Sequence, residues 1–183
     1  MKLRTILIMV GALIVLGVAF YFSSRPEPVT PVEPQYFVWN VEMDELQTMS
    51  IRLPRLDMGE AWVKHEDNYW YFDIPDGPKV DMKRWGGGIP LLLSGPGANR
   101  RLTDTVTDEQ LEIYGLSDPT MLIDLTLENG QPINIEVGDS TPDGQTYYIR
   151  LENQQNIYTV DYTWFQVLSR LVIDPPYPKP EEE

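Results

Sequence analysis

The side chains that most often do chemistry are scarce in this chain. It has no Cys and one His, His65. Without Cys there are no thiolate nucleophiles, disulfides, iron–sulfur ligands, covalent haem or Cys-based zinc sites. A single His excludes a His cluster around a metal within one chain. His65 lies in Trp62-Val63-Lys64-His65-Glu66-Asp67. A Ser–His–Asp arrangement would need a Ser in a strained elbow, and no Gly-x-Ser-x-Gly occurs. Ser94-Gly95-Pro96-Gly97 reads as a loop, and His65 as a strand-end residue.

Carboxylates are plentiful, and a glycosidase needs only two at a set separation. Asp73, Asp76 and Asp81 gather around one turn, Asp139 and Asp143 around another. Turn and cap chemistry accounts for them: Asp in Pro-Asp-Gly turns, and Asp81 and Asp161 at helix starts. A carboxylate hydrolase is therefore the weakest functional reading. Asp139–Gly144 lacks the third acidic position and the closing Glu of an EF-hand loop. Gly86-Gly87-Gly88 lacks the spacing and the Lys of a P-loop, and reads as a break. No catalytic residue, metal ligand or cofactor is assigned.

Aromatics are the suggestive surplus. Tyr69-Trp70-Tyr71-Phe72 puts rings on both faces of one strand, and Tyr147-Tyr148 does the same. One face builds core; the other is left for a partner, a sugar or solvent, and aromatics are enriched at interfaces. Tyr69, Tyr71, Tyr148 and, in the C-terminal tail, Tyr177 form the candidate interaction surface. The alternative is aromatic core on both faces.

The elements that position these residues fall into segments of different charge. The chain carries 14 Lys+Arg against 28 Asp+Glu, a net −14. Residues 1–25 hold Lys2, Arg4 and Arg25 and no acid, a charge of +3, which leaves −17 for residues 26–183. Such a balance argues against nucleic acid, whose binding depends on Lys and Arg at phosphates. From Ile6 to Phe22 there are 17 residues without a charge, and a helix of that length covers about 26 Å of a ~30 Å hydrocarbon core. Arg4 and Lys2 can snorkel at one end, while Tyr21 and Phe22 suit an interfacial belt. Phe20, Tyr21 and Phe22 are too bulky for a signal-peptide cleavage site, so the segment is expected to stay as an anchor. The positive residues set the orientation: N-terminus in the cytoplasm, and the rest on the periplasmic or extracellular side of the cytoplasmic membrane.

Residues 26–35 form a Pro-rich stalk, with four prolines between Pro26 and Pro34. Residues 174–183 form a Pro-rich acidic tail. Between them, 36–173 alternates with period two. Met49, Ile51 and Leu53 share one face. So do Met121, Ile123, Leu125 and Leu127, and later Ile133, Ile135 and Val137. Asn129-Gly130 predicts a two-residue type I′ hairpin turn, and Pro142-Asp143-Gly144 a second turn. Thr107 and Gln110 form a capping box for a short helix, with Gly115 as its left-handed stop. Asp161 caps a better helix that Pro175 ends. The expected fold is α+β: an N-terminal transmembrane helix, then a mostly antiparallel β domain built from two β-meander-plus-helix repeats, about 36–100 and 118–173. The first repeat's helix is weakened by the triple glycine and Pro90.

At Tyr114-Gly115-Leu116-Ser117-Asp118-Pro119 the chain resembles a bacterial family, the domain of unknown function numbered four-three-four-zero. Supporting positions run from about 40 to 172. They include Trp70–Pro75, Val80-Asp81, Leu111, Val137-Gly138, Tyr147–Arg150 and Tyr158–Val160. The resemblance implies one N-terminal anchoring helix and an accessory role beside ABC-type transport or gliding-motility systems, and carries over no catalytic residue. Gly115, Leu116 and Pro119 themselves read as structural. The favoured function is a non-catalytic accessory subunit of a transport, respiratory or photosynthetic membrane complex, with lipid and integral membrane subunits as partners. The alternative is a surface module binding glycan or solute through aromatics.

Overall fold

A computed structural model of the chain describes residues 3–23, 36–85, 88–103, 105–152 and 154–179. The stalk at 26–35, Gly86, Gly87 and the closing acids Glu181–Glu183 lie outside the described residues. The chain divides into two compact units, Met1–Pro34 and Gln35–Glu183.

The first unit holds helix α1, Leu3–Ser23, 21 residues long. At ~1.5 Å per residue its backbone runs about 31 Å. Its described side chains are fewer, those of residues 10–18, 20 and 21. Among the described residues no helix is long and apolar enough to cross a membrane.

The second unit is α+β, and every described strand pairing is antiparallel. Its strands are β1 (Tyr36–Phe37), β2 (Leu46–Leu53), β3 (Met58–Lys64), β4 (Trp70–Phe72), β5 (Gly97–Ala98), β6 (Arg100–Thr103), β7 (Met121–Leu127), β8 (Pro132–Ser140), β9 (Thr146–Leu151) and β10 (Ile157–Asp161). Its helices are α2 (Met82–Trp85), α3 (Ile89–Ser94), α4 (Asp108–Ile113) and α5 (Tyr162–Ile173). Eight strands form one sheet in the order β4-β3-β2-β7-β8-β9-β10-β6, and β1 pairs with β5 apart from it.

The order follows from two meanders meeting back to back. Both inner strands carry Met-x-Ile-x-Leu, at 49–53 and 121–125. Paired antiparallel, Met49 lies opposite Leu125 and Ile51 opposite Ile123, so the motif meets itself about a local two-fold. From this seam β3 and β4 run outward on one side, and β8, β9 and β10 on the other. β10 has a vestigial counterpart in the first half. Tyr71 bridges Lys79, and Val80 N–H bonds Trp70 O at 3.0 Å, before Asp81 opens α2 as Asp161 opens α5.

Period two buries one sheet face. Met49, Ile51, Trp62, Phe72, Ile123, Leu125, Val137 and Ile149 pack with Trp85, Leu93, Trp164, Leu168 and Val172 from α2, α3 and α5. Indole N–H groups tie the layers: Trp39 Nε1 donates to Leu93 O (2.8 Å) and Trp164 Nε1 to Leu92 O (3.0 Å). The opposite face is polar, with the Arg52–Asp124 and Arg150–Glu136 ion pairs on adjoining strands. The cap loop after α4 joins this side through Asp139 N–H to Tyr114 O (2.9 Å) and Arg55 to Asp139 (2.7 Å).

Three expectations are refined here. The β7–β8 hairpin exists, but its turn is not type I′. Gly130 has φ +81°, while Asn129 is absent from the residues of positive φ. Leu127 N–H bonds Gln131 O at 2.9 Å, so three residues make the loop, with glycine at the left-handed position. Asn129 instead uses its side chain, whose Oδ1 accepts from Gln131 N–H at 2.9 Å. The first repeat's helix is two short pieces, α2 and α3, on either side of the glycines. The tail, expected only as Pro-rich and acidic, begins with a strap, Pro175–Tyr177, laid back on the first repeat and described below.

Candidate interaction surfaces

The four candidate tyrosines occupy three separate places. Tyr71 points to the polar face, between core-facing Trp70 and Phe72. His65 stacks on its ring (4.2 Å, 18°), and its hydroxyl donates to Asp67 Oδ2 at 2.8 Å. That bond, followed by one from Tyr69 N–H, holds the Asp67 carboxyl below its ordinary value. Tyr69 is beside it and exposed, with the Lys79 ammonium 2.9 Å from its ring centroid. Tyr148 shares the polar face but lies on β9, five strand intervals from β4, a distance of about 24 Å. Tyr177 belongs to the strap. It stacks on Phe72 at 3.8 Å and 4°, and closes the end of the core. Pro176 O accepts from Asp81 N–H (2.9 Å), and Arg84 reaches Tyr177 O and pairs with Asp174. Burial pushes up the pKa of Glu60, which lies under the Tyr177 hydroxyl.

Two of the concave surfaces among the described residues bear on binding. A groove of about 600 Å³ runs between α2–α3 and α5. Ile89, Leu92 and Leu171 line it, Leu91 and Val167 stand exposed at it, and Arg84 and Arg170 add positive charge. Trp85 also lines it, and the Trp85 and Trp62 indole N–H groups are buried with no partner among the described residues. One signal for this groove was available in the sequence. Leu91-Leu92-Leu93 advance about 100° each in a helix, so all three cannot face one core.

The second is a cleft of about 470 Å³ on the polar face, between the β6 edge, the β8–β9 loop and the α4 cap. Tyr114 and Tyr148 form one wall, with ring centroids 4.4 Å apart. Asp143 is held ionised by the Thr141 hydroxyl and then by Gln145 N–H. Burial raises the Tyr148 hydroxyl's pKa, so it remains a donor. Arg100, Asn99 and Thr159 complete the cleft. Arg100 carried no such signal in the sequence, because β6 is short, non-alternating and at an edge; Tyr114 and Thr159 stood there only as positions of the family resemblance.

The remaining candidates for chemistry stay dispersed. Asp81 and Asp161 cap helices, with Asp161 Oδ1 accepting from Thr163 N–H at 2.8 Å. Asp139 pairs with Arg55, and Asp76 sits in a turn at φ 54°. Among the described residues no group of three His, Asp or Glu could hold a metal ion.

The family model of a domain of unknown function (DUF4340) matches residues 97–174. This stretch runs from β5 through α5 and contains Tyr114–Pro119, so the match supports the family resemblance carried by those residues. The match leaves out the first meander. No curated protein and no solved structure matches the chain.

Proposed function

We propose that the protein is a non-catalytic accessory subunit of a larger membrane complex of the transport, respiratory or photosynthetic kind. On this reading α1 is a single-pass anchor in the cytoplasmic membrane with Lys2 and Arg4 on the cytoplasmic side. Residues 26–35 form the stalk, and 36–173 the extracytoplasmic domain that meets partner subunits. The 17 uncharged residues from Ile6 to Phe22, with Lys2 and Arg4 before them, support the anchor.

The observation that carries the reading is the apolar groove between α2–α3 and α5. Leu91 is 64% and Val167 40% exposed there, on a domain otherwise rich in carboxylates. Arg170 has no ion-pair partner among the described residues, and Arg84 has only Asp174. An apolar segment of a partner subunit carrying an acidic side chain fits both features, its apolar part covering the leucines and its charge meeting the arginines.

Purification of the tagged full-length protein from native membranes in mild detergent, followed by mass spectrometry, tests it. Stoichiometric partner subunits are expected, and Leu91→Asp should lose them without moving the protein out of the membrane fraction. Recovery as a lone monomer overturns the subunit reading. Recovery outside the membrane fraction overturns the anchor.

A further inference from the structure

We infer that the polar-face cleft at Tyr114 and Tyr148 is a binding site for a neutral glycan. The fold positions several side chains there that it does not use. Among the described residues, the side-chain polar groups of Asn99, Arg100 and Thr159 and the hydroxyls of Tyr114 and Tyr148 make no hydrogen bond or ion pair. Asp143 spends only Oδ1, on Thr141 and Gln145 N–H. Thr159 is 5% exposed, and its hydroxyl is not among the fully buried groups left without a partner, so it opens to the cleft that it lines. These groups converge on a cleft of about 470 Å³, inside the ~300–1,000 Å³ range of small-molecule sites.

Their chemistry selects the ligand. A sugar ring has an apolar C–H face and hydroxyls that both donate and accept. The Tyr114–Tyr148 wall offers ring surface for the first. For the second, Arg100 only donates, ionised Asp143 only accepts, and the tyrosine, threonine and asparagine groups do both. Arg100 and Asp143 cancel within the cleft, while the −17 balance of residues 26–183 disfavours polyanions. A purely apolar ligand would leave the same polar groups desolvated without partners. Tyr69, Tyr71 and Tyr177 lie elsewhere and spend themselves on Lys79, His65, Asp67 and Phe72, so they take no part.

The test titrates the full-length protein in detergent with maltohexaose, cellohexaose and chitohexaose, each to about 10 mM, which registers even a millimolar site. Saturation-transfer NMR and calorimetry give the readout. Saturable binding of at least one is expected, weakened about tenfold or more by Tyr148→Ala and by Arg100→Ala, and unchanged in Tyr69→Ala. Arg100 is exposed on an edge strand, so that variant keeps the fold; an unchanged thermal midpoint confirms it. No saturable binding of any of the three overturns the inference. Binding that survives both cleft variants also overturns it.

Discussion

At the scale of single residues, two positions bear the most structural responsibility. Gly115 has φ +68°, and a Cβ there would also run into the Asp139 carboxylate and come within 2.8 Å of its backbone nitrogen. Its partner is Gly138, where a Cβ would overlap the Tyr114 carbonyl oxygen that anchors the cap loop to β8. Gly115→Val should therefore cost about 2 kcal/mol or more, combining positive φ with lost space; an unmoved urea midpoint would contradict the cap. Asp161 gives a pH-dependent case. The Thr163 hydroxyl, then Thr163 N–H, lowers its pKa from the ordinary 3.8. A carboxylate whose folded pKa lies below its unfolded one stabilises in its ionised form. That contribution is complete above the unfolded pKa and is lost as pH falls through the folded one. Asp161→Ala should cost about 1 kcal/mol near neutral pH, as cap removals do. The gap to the parent protein should close below the ordinary 3.8, and denaturation curves across that range would show it. A gap that stays constant to low pH would sink the assignment.

Among the elements, the C-terminal strap departs most from expectation. Pro175, Pro176 and Tyr177 follow α5, yet they seal the far repeat by covering Phe72 and bonding Asp81 and Arg84. Tyr177→Ala removes a stacked ring from a core residue that is 1% exposed and should lower stability by about 1–3 kcal/mol. Tyr177→Phe should recover most of it, because the hydroxyl's contact with Glu60 is long, at 3.5 Å. Equal losses in both variants would show that the hydroxyl matters more than the ring. The strap was not legible in the sequence, since prolines state only that a segment is extended, not what it lies on. By contrast the inner strands and both capped helices were legible, because alternation, Thr107–Gln110 and Asp161 are local signals with local causes. Strand β6 was not: Arg100-Arg101-Leu102-Thr103 has no period, and its place is fixed by pairing with β10. The candidate surface was half legible for the same reason. Period two puts Tyr71 and Tyr148 on the non-core face, but only strand order shows them five strands apart and gives Tyr148 its partner Tyr114.

For the whole domain, the question is whether the two repeats are two folding units or one. Each has its own meander and helical cover, and the family match spans only the second. Three features argue for one unit. The seam is a full strand pair, from Leu46 opposite Leu127 to Arg52 opposite Leu122, with Ile51 and Ile123 both at 0% exposure at its centre. Helix α5 from the second repeat packs over β2 and β3 of the first. The strap adds a third tie. One cooperative transition is expected, since neither meander buries its inner strand alone. Ile51→Ala and Ile123→Ala should each cost about 2–5 kcal/mol, and the double variant should cost a sum that is not additive, because the two side chains touch the same seam. Fluorescence can assign the response to a repeat. With Trp164→Phe in place, the remaining tryptophans are 39, 62, 70 and 85, all in the first half of the chain. In that background Ile123→Ala, a change in the second repeat, should shift the fluorescence midpoint as far as it shifts far-UV circular dichroism. A fluorescence transition indifferent to Ile123→Ala would mean the repeats unfold separately and the seam is only a contact.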